Sequence, residues 1–236
     1  MFRIGIDLGG TKTEGIVLDD QSQEIFRKRI ETQRENGYDH ILNCVKGLYG
    51  ELATHIQHHP HTLGLGAPGV VSPRTGLMKN ANTVCLIGKP LKADLEQTLS
   101  RKIEIQNGVN CFALAEALQG TGRGHKLVFG VIMGTGCGGG IVHNGEVILG
   151  RQAIVGEWGH TSIALDGPRC YCGKQGCVET YISGGGAEAR YAEQFEVKKS
   201  FQAIVQDFYE ADSKAEEFMR TFFRHFGRAM ANLIDV

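Results

Sequence analysis

Asp7-Leu8-Gly9-Gly10-Thr11-Lys12-Thr13 and Gly134-Thr135-Gly136-Cys137-Gly138-Gly139-Gly140 decide the fold of this chain. Each stretch lies between two short apolar runs, so each reads as a tight turn joining two strands. Glycine lets backbone N–H groups crowd around one point. Successive turn N–H groups make a concavity suited to phosphate oxygens. Two glycines alone would mark an ordinary hairpin. The recurrence half a chain later argues for a duplicated unit with two phosphate-holding turns. Gly9, Gly10, Thr11 and Lys12 belong to the first, and Gly134, Thr135 and Gly136 to the second. Thr11 adds a hydroxyl, Lys12 a positive charge, and Asp7 a carboxylate able to hold a magnesium ion through water. No helix is expected directly after either turn, which sets both apart from a Walker loop or a dinucleotide fingerprint.

Working outward, residues 2–7, 13–18 and 24–30 read as an antiparallel meander. Ile41, Cys44, Val45, Leu48 and Leu52 recur at helical spacing within 38–57. A strand is expected at 62–66, a helix at 90–99, an extended segment at 102–106 and a helix at 110–118 capped by Asn110. The apolar run Leu127 to Met133 predicts a buried strand. Gly138–Val142 and Glu146–Leu149 flank Asn144-Gly145, a hairpin signal. Ser200 is expected to cap one helix, and Ser213 with Glu216 to form a capping box opening another. That last helix, running toward Val236, should carry Met219, Phe222, Phe223, Phe226, Met230 and Leu233 on a face that no later element covers.

The glycines, 33 against 5 prolines, cluster near 9–10, 64–69, 134–140 and 184–186. They read as turns where backbone must approach something closely, not as a linker. The chain has a formal net charge of −1, so neither a nucleic acid nor a membrane surface is an expected partner. It has no run near ~20 apolar residues and no signal-peptide pattern. Seven cysteines with three clustered fit a reduced, cytoplasmic chain better than a disulfide framework.

Those three cysteines are Cys170, Cys172 and Cys177, with His160 ten residues upstream. Three thiolates and one imidazole complete a tetrahedral zinc shell with no open position, which marks a structural metal. Glu157 and Glu179 flank the ligands. Fixed carboxylates suit a polyhydroxylated ligand, because each hydroxyl can donate to them.

Taken together, Asp7 to Thr13, Gly134 to Gly140, Glu157-Trp158-Gly159-His160 and Cys170 to Glu179 resemble the ROK family of sugar kinases. Met78-Lys79-Asn80-Ala81-Asn82 and the cysteine cluster look most similar to its fructokinase/mannokinase branch, and next to its N-acetylglucosamine kinases. The resemblance implies an α/β, actin-like, ribonuclease H-like duplicated fold of the hexokinase–actin superfamily. It implies a small N-terminal domain over 1–118 and a larger C-terminal domain over 119–236, incomplete at its end, with a zinc loop at 157–179. It further implies ATP with Mg2+, a hexose (fructose first) phosphorylated at its 6-hydroxyl, and homodimers. Gly66, Asn82, Asn107, Glu157, His160 and Glu179 would contact the sugar. One ring nitrogen of His160 would bind zinc and the other a sugar hydroxyl. ROK repressors carry a helix-turn-helix before the first turn. That turn starts at residue 7 here, so no DNA-binding role is expected.

One position departs from the family. Its catalytic base is the Asp of an Asn-Asp-x-Asn segment, whereas this chain reads Gln106-Asn107-Gly108-Val109-Asn110. Gly108 cannot accept a proton. The alternative reading is therefore a sugar- and zinc-binding chain impaired in phosphoryl transfer.

Overall fold

A computed structural model describes residues 1–234. Asp235 and Val236, the end of the expected last helix, lie outside the described residues. The chain divides into two units, Met1–Ala115 with Val147–Val155, and Glu116–Glu146 with the residues from Gly156 onward. Each unit has its own apolar core.

In the first unit, β1 (Phe2–Leu8), β2 (Lys12–Leu18) and β3 (Glu24–Glu31) form the expected meander. Ile4, Ile6 and Leu8 are buried at every second residue, the period of a strand with one covered face. β4 (His61–Ala67) runs parallel to β1, and β7 (Glu104–Asn107) parallel to β4, giving the order β3-β2-β1-β4-β7. Parallel neighbours need a crossover. α1 (Tyr38–His55) and α2 (Leu91–Leu99) lie within those crossovers, which also include a short hairpin of β5 (Val70–Val71) and β6 (Met78–Lys79). Ile41, Val45, Leu48 and Leu52 make the buried stripe of α1. A Cβ on Gly15 would stand 2.5 Å from Leu52 Cδ1, so that glycine lets α1 close onto β2.

α3 (Gly108–Leu118) begins where β7 stops. The helix therefore starts two residues before Asn110, which does not cap it. Asn107 does so instead, its Oδ1 accepting from the N–H of Val109 at 2.8 Å. Asn110 turns back to donate to Gln106 Oε1 at 3.0 Å.

The second unit holds a three-stranded sheet, β10-β9-β8, built from β8 (Leu127–Met133), β9 (Cys137–His143) and β10 (Glu146–Val147). Asn144 and Gly145 both have positive φ, 51° and 81°, as a type I′ hairpin requires. β10 is two residues long, shorter than the expected 146–149. β8 is not the buried strand that its composition suggested. It lies at the sheet edge, with Leu127 61% exposed and only Gly130 buried.

Four helices follow, namely α4 (Glu179–Ile182), α5 (Gly184–Phe195), α6 (Phe201–Tyr209) and α7 (Ser213–Ile234). Ser200 caps α6 through the N–H of Ala203. Ser213 does not cap α7. Asp212 takes that place, its Oδ1 accepting from the N–H of Ala215 at 2.9 Å. Nor is the apolar face of α7 left uncovered. It packs back onto α4, α5 and α6, burying Phe218, Met219, Phe222 and Ala229, and leaves Phe223 half exposed. Among the described residues, no helix is long and apolar enough to cross a membrane.

Candidate functional site

The expected site residues form two clusters, one in each unit. The first surrounds the β1–β2 turn. Gly9 donates its N–H to Lys12 O at 3.0 Å, so that group is not free for a ligand. A Cβ on Gly9 would stand 2.5 Å from the same oxygen, which excludes a side chain there. The N–H groups of Gly10 and Thr11 have no partner among the described residues. A buried pair of threonines holds the turn. Thr32 donates its hydroxyl to Gly9 O at 2.8 Å and its N–H to Thr11 O at 2.8 Å. Its single hydroxyl proton is thereby used, so Thr13 must donate in the 2.8 Å bond between the two hydroxyls. Both threonines are fully buried.

Asp7, the last residue but one of β1, stands beside a cavity of about 870 Å³ that Gly66, Gln106, Gly108 and Cys111 also line. Burial of its carboxyl group, with the negative charge of Glu14 added, raises its pKa. A Cβ on Gly66 would stand 3.3 Å from Asp7 Oδ1, and one on Gly108 3.8 Å from the same atom. Gly108 therefore leaves open the space next to a carboxylate. The Asn107 side chain is committed to the protein, since its Nδ2 donates to Gly69 O at 3.2 Å and its Oδ1 caps α3. Gly69, at φ 132°, lies within 3 Å of Lys79 O and Ala81 in Cβ terms. Its freedom serves a close passage of backbone over residues 79–81. Asn82 is exposed, whereas its neighbour Thr83 is buried.

The second cluster is in the other unit. Gly134 donates to Gly136 O at 2.9 Å and closes that turn, leaving the N–H groups of Thr135 and Gly136 without partners among the described residues. Gly184–Gly186 are not a turn but the start of α5, capped by Ser183 Oγ accepting from Gly186 N–H. These glycines bring the helix end against the turn. Gly184 donates to Gly134 O at 2.7 Å, and Cβ atoms on Gly184 and Gly185 would stand 3.1 and 3.2 Å from the carbonyl oxygens of Gly134 and Thr135. Glu179 Oε2 accepts from Cys137 N–H at 2.9 Å and reaches under Gly136.

Residues 157–160 are fastened to β9. Trp158 Nε1 donates to Gly138 O at 2.8 Å, and a Cβ on Gly159 would meet Cys137 O at 2.2 Å. Burial raises the pKa of Glu157, with His160 lowering it and Glu179 raising it further. The ligand atoms of His160, Cys170, Cys172 and Cys177 all lie within 4.8 Å of one another. Cys172 and Cys177 Sγ are 3.6 Å apart, and His160 Nδ1 is 3.6 Å from Cys170 Sγ. Tetrahedral zinc at its usual bond lengths separates two sulfurs by ~3.8 Å and a nitrogen from a sulfur by ~3.6 Å. These two separations match that geometry, and the donor set of three thiols and an imidazole suits a zinc ion. The other ring nitrogen, Nε2, faces Tyr171 OH at 3.1 Å. That contact occupies the atom which the sequence reading assigned to a sugar hydroxyl.

Sequence reasoning did not find Thr32 at the first turn. No periodicity marks that threonine, a single residue at the end of an element. It did find the glycines at 184–186 but not their role. Ser183 immediately before them was the usable signal, as a helix cap.

Residues 3–236 match the ROK family. Similar proteins include N-acetyl-D-glucosamine kinases from Pasteurella multocida (37% identical, covering 100% of this chain and 80% of that protein) and Pectobacterium atrosepticum (37%, 98% and 79%). The nearer of the two named branches is therefore the N-acetylglucosamine kinases, which corrects the expected order with fructokinases first. Similar solved structures include a ROK hexokinase from Thermus thermophilus (TM-score 0.84, 27% identical, 100% of this chain and 78% of that one). A ROK glucokinase from Streptomyces griseus, solved with glucose and AMPPNP, is another (TM-score 0.79, 26%, 100% and 80%). The fold is thus the mixed α/β, actin-like fold that the resemblance implied.

Proposed function

This chain belongs to the ROK family, and from that premise we propose that it is an ATP-dependent kinase for an N-acetylated hexosamine, transferring phosphate to the 6-hydroxyl of N-acetyl-D-glucosamine. The observation that carries the substrate is the 37% identity, along the whole chain, to proteins named for that sugar. The two turns with unpartnered N–H groups, one in each unit, each offer donors suited to phosphate oxygens, and Asp7 would hold Mg2+. Glu157 and Glu179, both in the second unit, accept from sugar hydroxyls. Phosphoryl transfer depends mostly on positioning and charge stabilisation, and this arrangement supplies both.

His160, Cys170, Cys172 and Cys177 would hold a structural zinc ion. With all four positions taken by protein, it would fix the segment bearing Glu157 and Glu179 and contribute no open coordination site.

A panel of N-acetyl-D-glucosamine, N-acetyl-D-mannosamine, fructose, mannose and glucose, assayed for ADP release with Mg-ATP, tests the proposal. N-acetyl-D-glucosamine should give the highest kcat/KM. A higher value for fructose would return the chain to the fructokinase branch. A second reading is favoured by one residue, Gly108, which removes the family's proton acceptor. On that reading the chain binds the sugar, seen by calorimetry, and releases no ADP with any member of the panel.

A further inference from the structure

Tyr181, Arg190, Phe218, Thr221, Phe222 and His225 line a cavity of about 220 Å³ that lies wholly within the second unit, among α4, α5 and α7. None of the residues assigned above to phosphate, sugar or metal borders it. Phe218 and Phe222 are buried and give the cavity its apolar part. Tyr181 and His225 add a pair of rings, with centroids 4.3 Å apart and planes tilted by 41°. A further ring can join such a pair edge-on or offset, the arrangements that aromatic groups prefer.

The polar part of the cavity consists of groups that can donate. Thr221 Oγ1 and the ring nitrogens of His225 have no hydrogen-bond partner among the described residues, yet none of these atoms is sealed from solvent. Each can therefore reach a ligand. Burial, with the positive charges of Arg228 and Arg224, lowers the pKa of His225. Its ring is neutral at pH 7 and carries one N–H. Arg190 commits Nη1 to Glu193 on the same helix and leaves Nη2 without a partner among the described residues. Of the acidic groups nearby, Glu193 is held by Arg190, and Asp166 acts on Tyr181 rather than on His225. A hydroxyl, an imidazole N–H and a guanidinium thus border one small cavity with an apolar wall. An ionised carboxylate accepts at both oxygens and donates at neither, so it suits that set of donors.

We propose that this cavity is a binding site for a small aromatic carboxylate, a single ring bearing one carboxyl group. The ring would lie against Phe218, Phe222 and Tyr181, and the carboxylate would accept from Arg190, Thr221 and His225. Charge-assisted hydrogen bonds of this kind are the strong ones, and a guanidinium matches a carboxylate by shape as well as by charge. The cavity is smaller than the ~300–1,000 Å³ of pockets that take drug-sized ligands, which limits the occupant to about one ring. The site takes no part in the proposed phosphoryl transfer.

Sodium benzoate is the probe, titrated into the whole chain and followed by NMR. It should bind saturably with a Kd of about 1 mM or tighter, the range open to so small a ligand. Intermolecular NOEs should connect its ring protons to the Thr221 methyl group and to the rings of Phe218 and Phe222. Benzyl alcohol keeps the ring without the charge and should bind about tenfold more weakly. Cyclohexanecarboxylate keeps the charge without the aromatic ring and should bind about threefold more weakly. Arg190→Met should weaken benzoate about tenfold and leave benzyl alcohol unchanged. Thr221→Leu, which fills the cavity, should abolish saturable binding of both. Lys46→Gln, an exposed lysine on α1, should change neither. The NOEs are measured on the parent chain, so they locate the ligand even where a variant melts at lower temperature. Benzoate that fails to saturate by about 10 mM, or whose NOEs fall on other residues, overturns the proposal. So does benzyl alcohol or cyclohexanecarboxylate binding as tightly as benzoate, or Arg190→Met binding benzoate like the parent.

Discussion

Gly108 separates positioning from proton transfer at the level of one residue. A positioned base contributes about 10²–10⁴ in rate, and no side chain at 108 can supply it. The neighbouring Asp7 carboxylate stands 3.8 Å from the missing Cβ, close enough that a restored aspartate would share its space. Burial and Glu14 already hold the pKa of Asp7 above the usual carboxylate value, and a second carboxylate would raise it further, because like charges at short range disfavour joint ionisation. Gly108→Asp should therefore raise kcat by about 10²–10⁴ with little change in KM, since the carboxylates at 157 and 179 that we propose contact the sugar are untouched. Steady-state kinetics with Mg-ATP and N-acetyl-D-glucosamine measure both constants. A parent chain that already turns over, with its kcat unchanged in Gly108→Asp, would mean that the proton already has an acceptor, and would remove the second reading altogether. Gly108 could be recognised in the sequence because the family resemblance assigns a chemical task to that position.

At the scale of elements, the strands and helices of the first unit were legible because each shows one clear period. β1 buries every second residue, and α1 carries an apolar stripe. Errors arose at element ends and edges, where side chains compete for the same backbone groups. Ser213 and Glu216 have capping-box spacing, yet Asp212 reaches the N–H of Ala215 first, and the helix starts one residue earlier than the serine would place it. Asn110 lost in the same way to Asn107. β8 is apolar enough for a core strand, but composition does not say which strand of a sheet has only one neighbour. The capping assignment can be tested directly. Asp212→Ala should lower stability by about 1 kcal/mol, the usual worth of a lost N-cap, and Ser213→Ala should cost less than half as much. Equal losses in chemical denaturation would restore the serine as the cap.

At the scale of the whole molecule, the chain is two units with separate cores, and the four side chains that could hold a metal ion belong to only one of them. Their spacing was readable in the sequence because C-x-C-x4-C with an upstream histidine has few other uses. The orientation of His160 was not, because Tyr171, one residue from two of the ligands, takes up the outward ring nitrogen. Zinc-site binding free energy counts as folding free energy for the segment it closes, so removal of the metal should act on the second unit alone. The sequence supplies a reporter, since Trp158 is its one tryptophan and lies buried in that unit between Glu157 and Gly159. The purified chain should contain one zinc per molecule by elemental analysis. Chelation should move the Trp158 fluorescence transition to lower temperature, while a second transition in far-UV circular dichroism, from the first unit, keeps its midpoint. Cys177→Ser should reproduce the chelated curve without chelator, because that thiol is fully buried and serine is a poor zinc ligand. A Trp158 transition indifferent to chelator would show that the four side chains hold the loop without metal. Equal displacement of both transitions would show that the units melt as one.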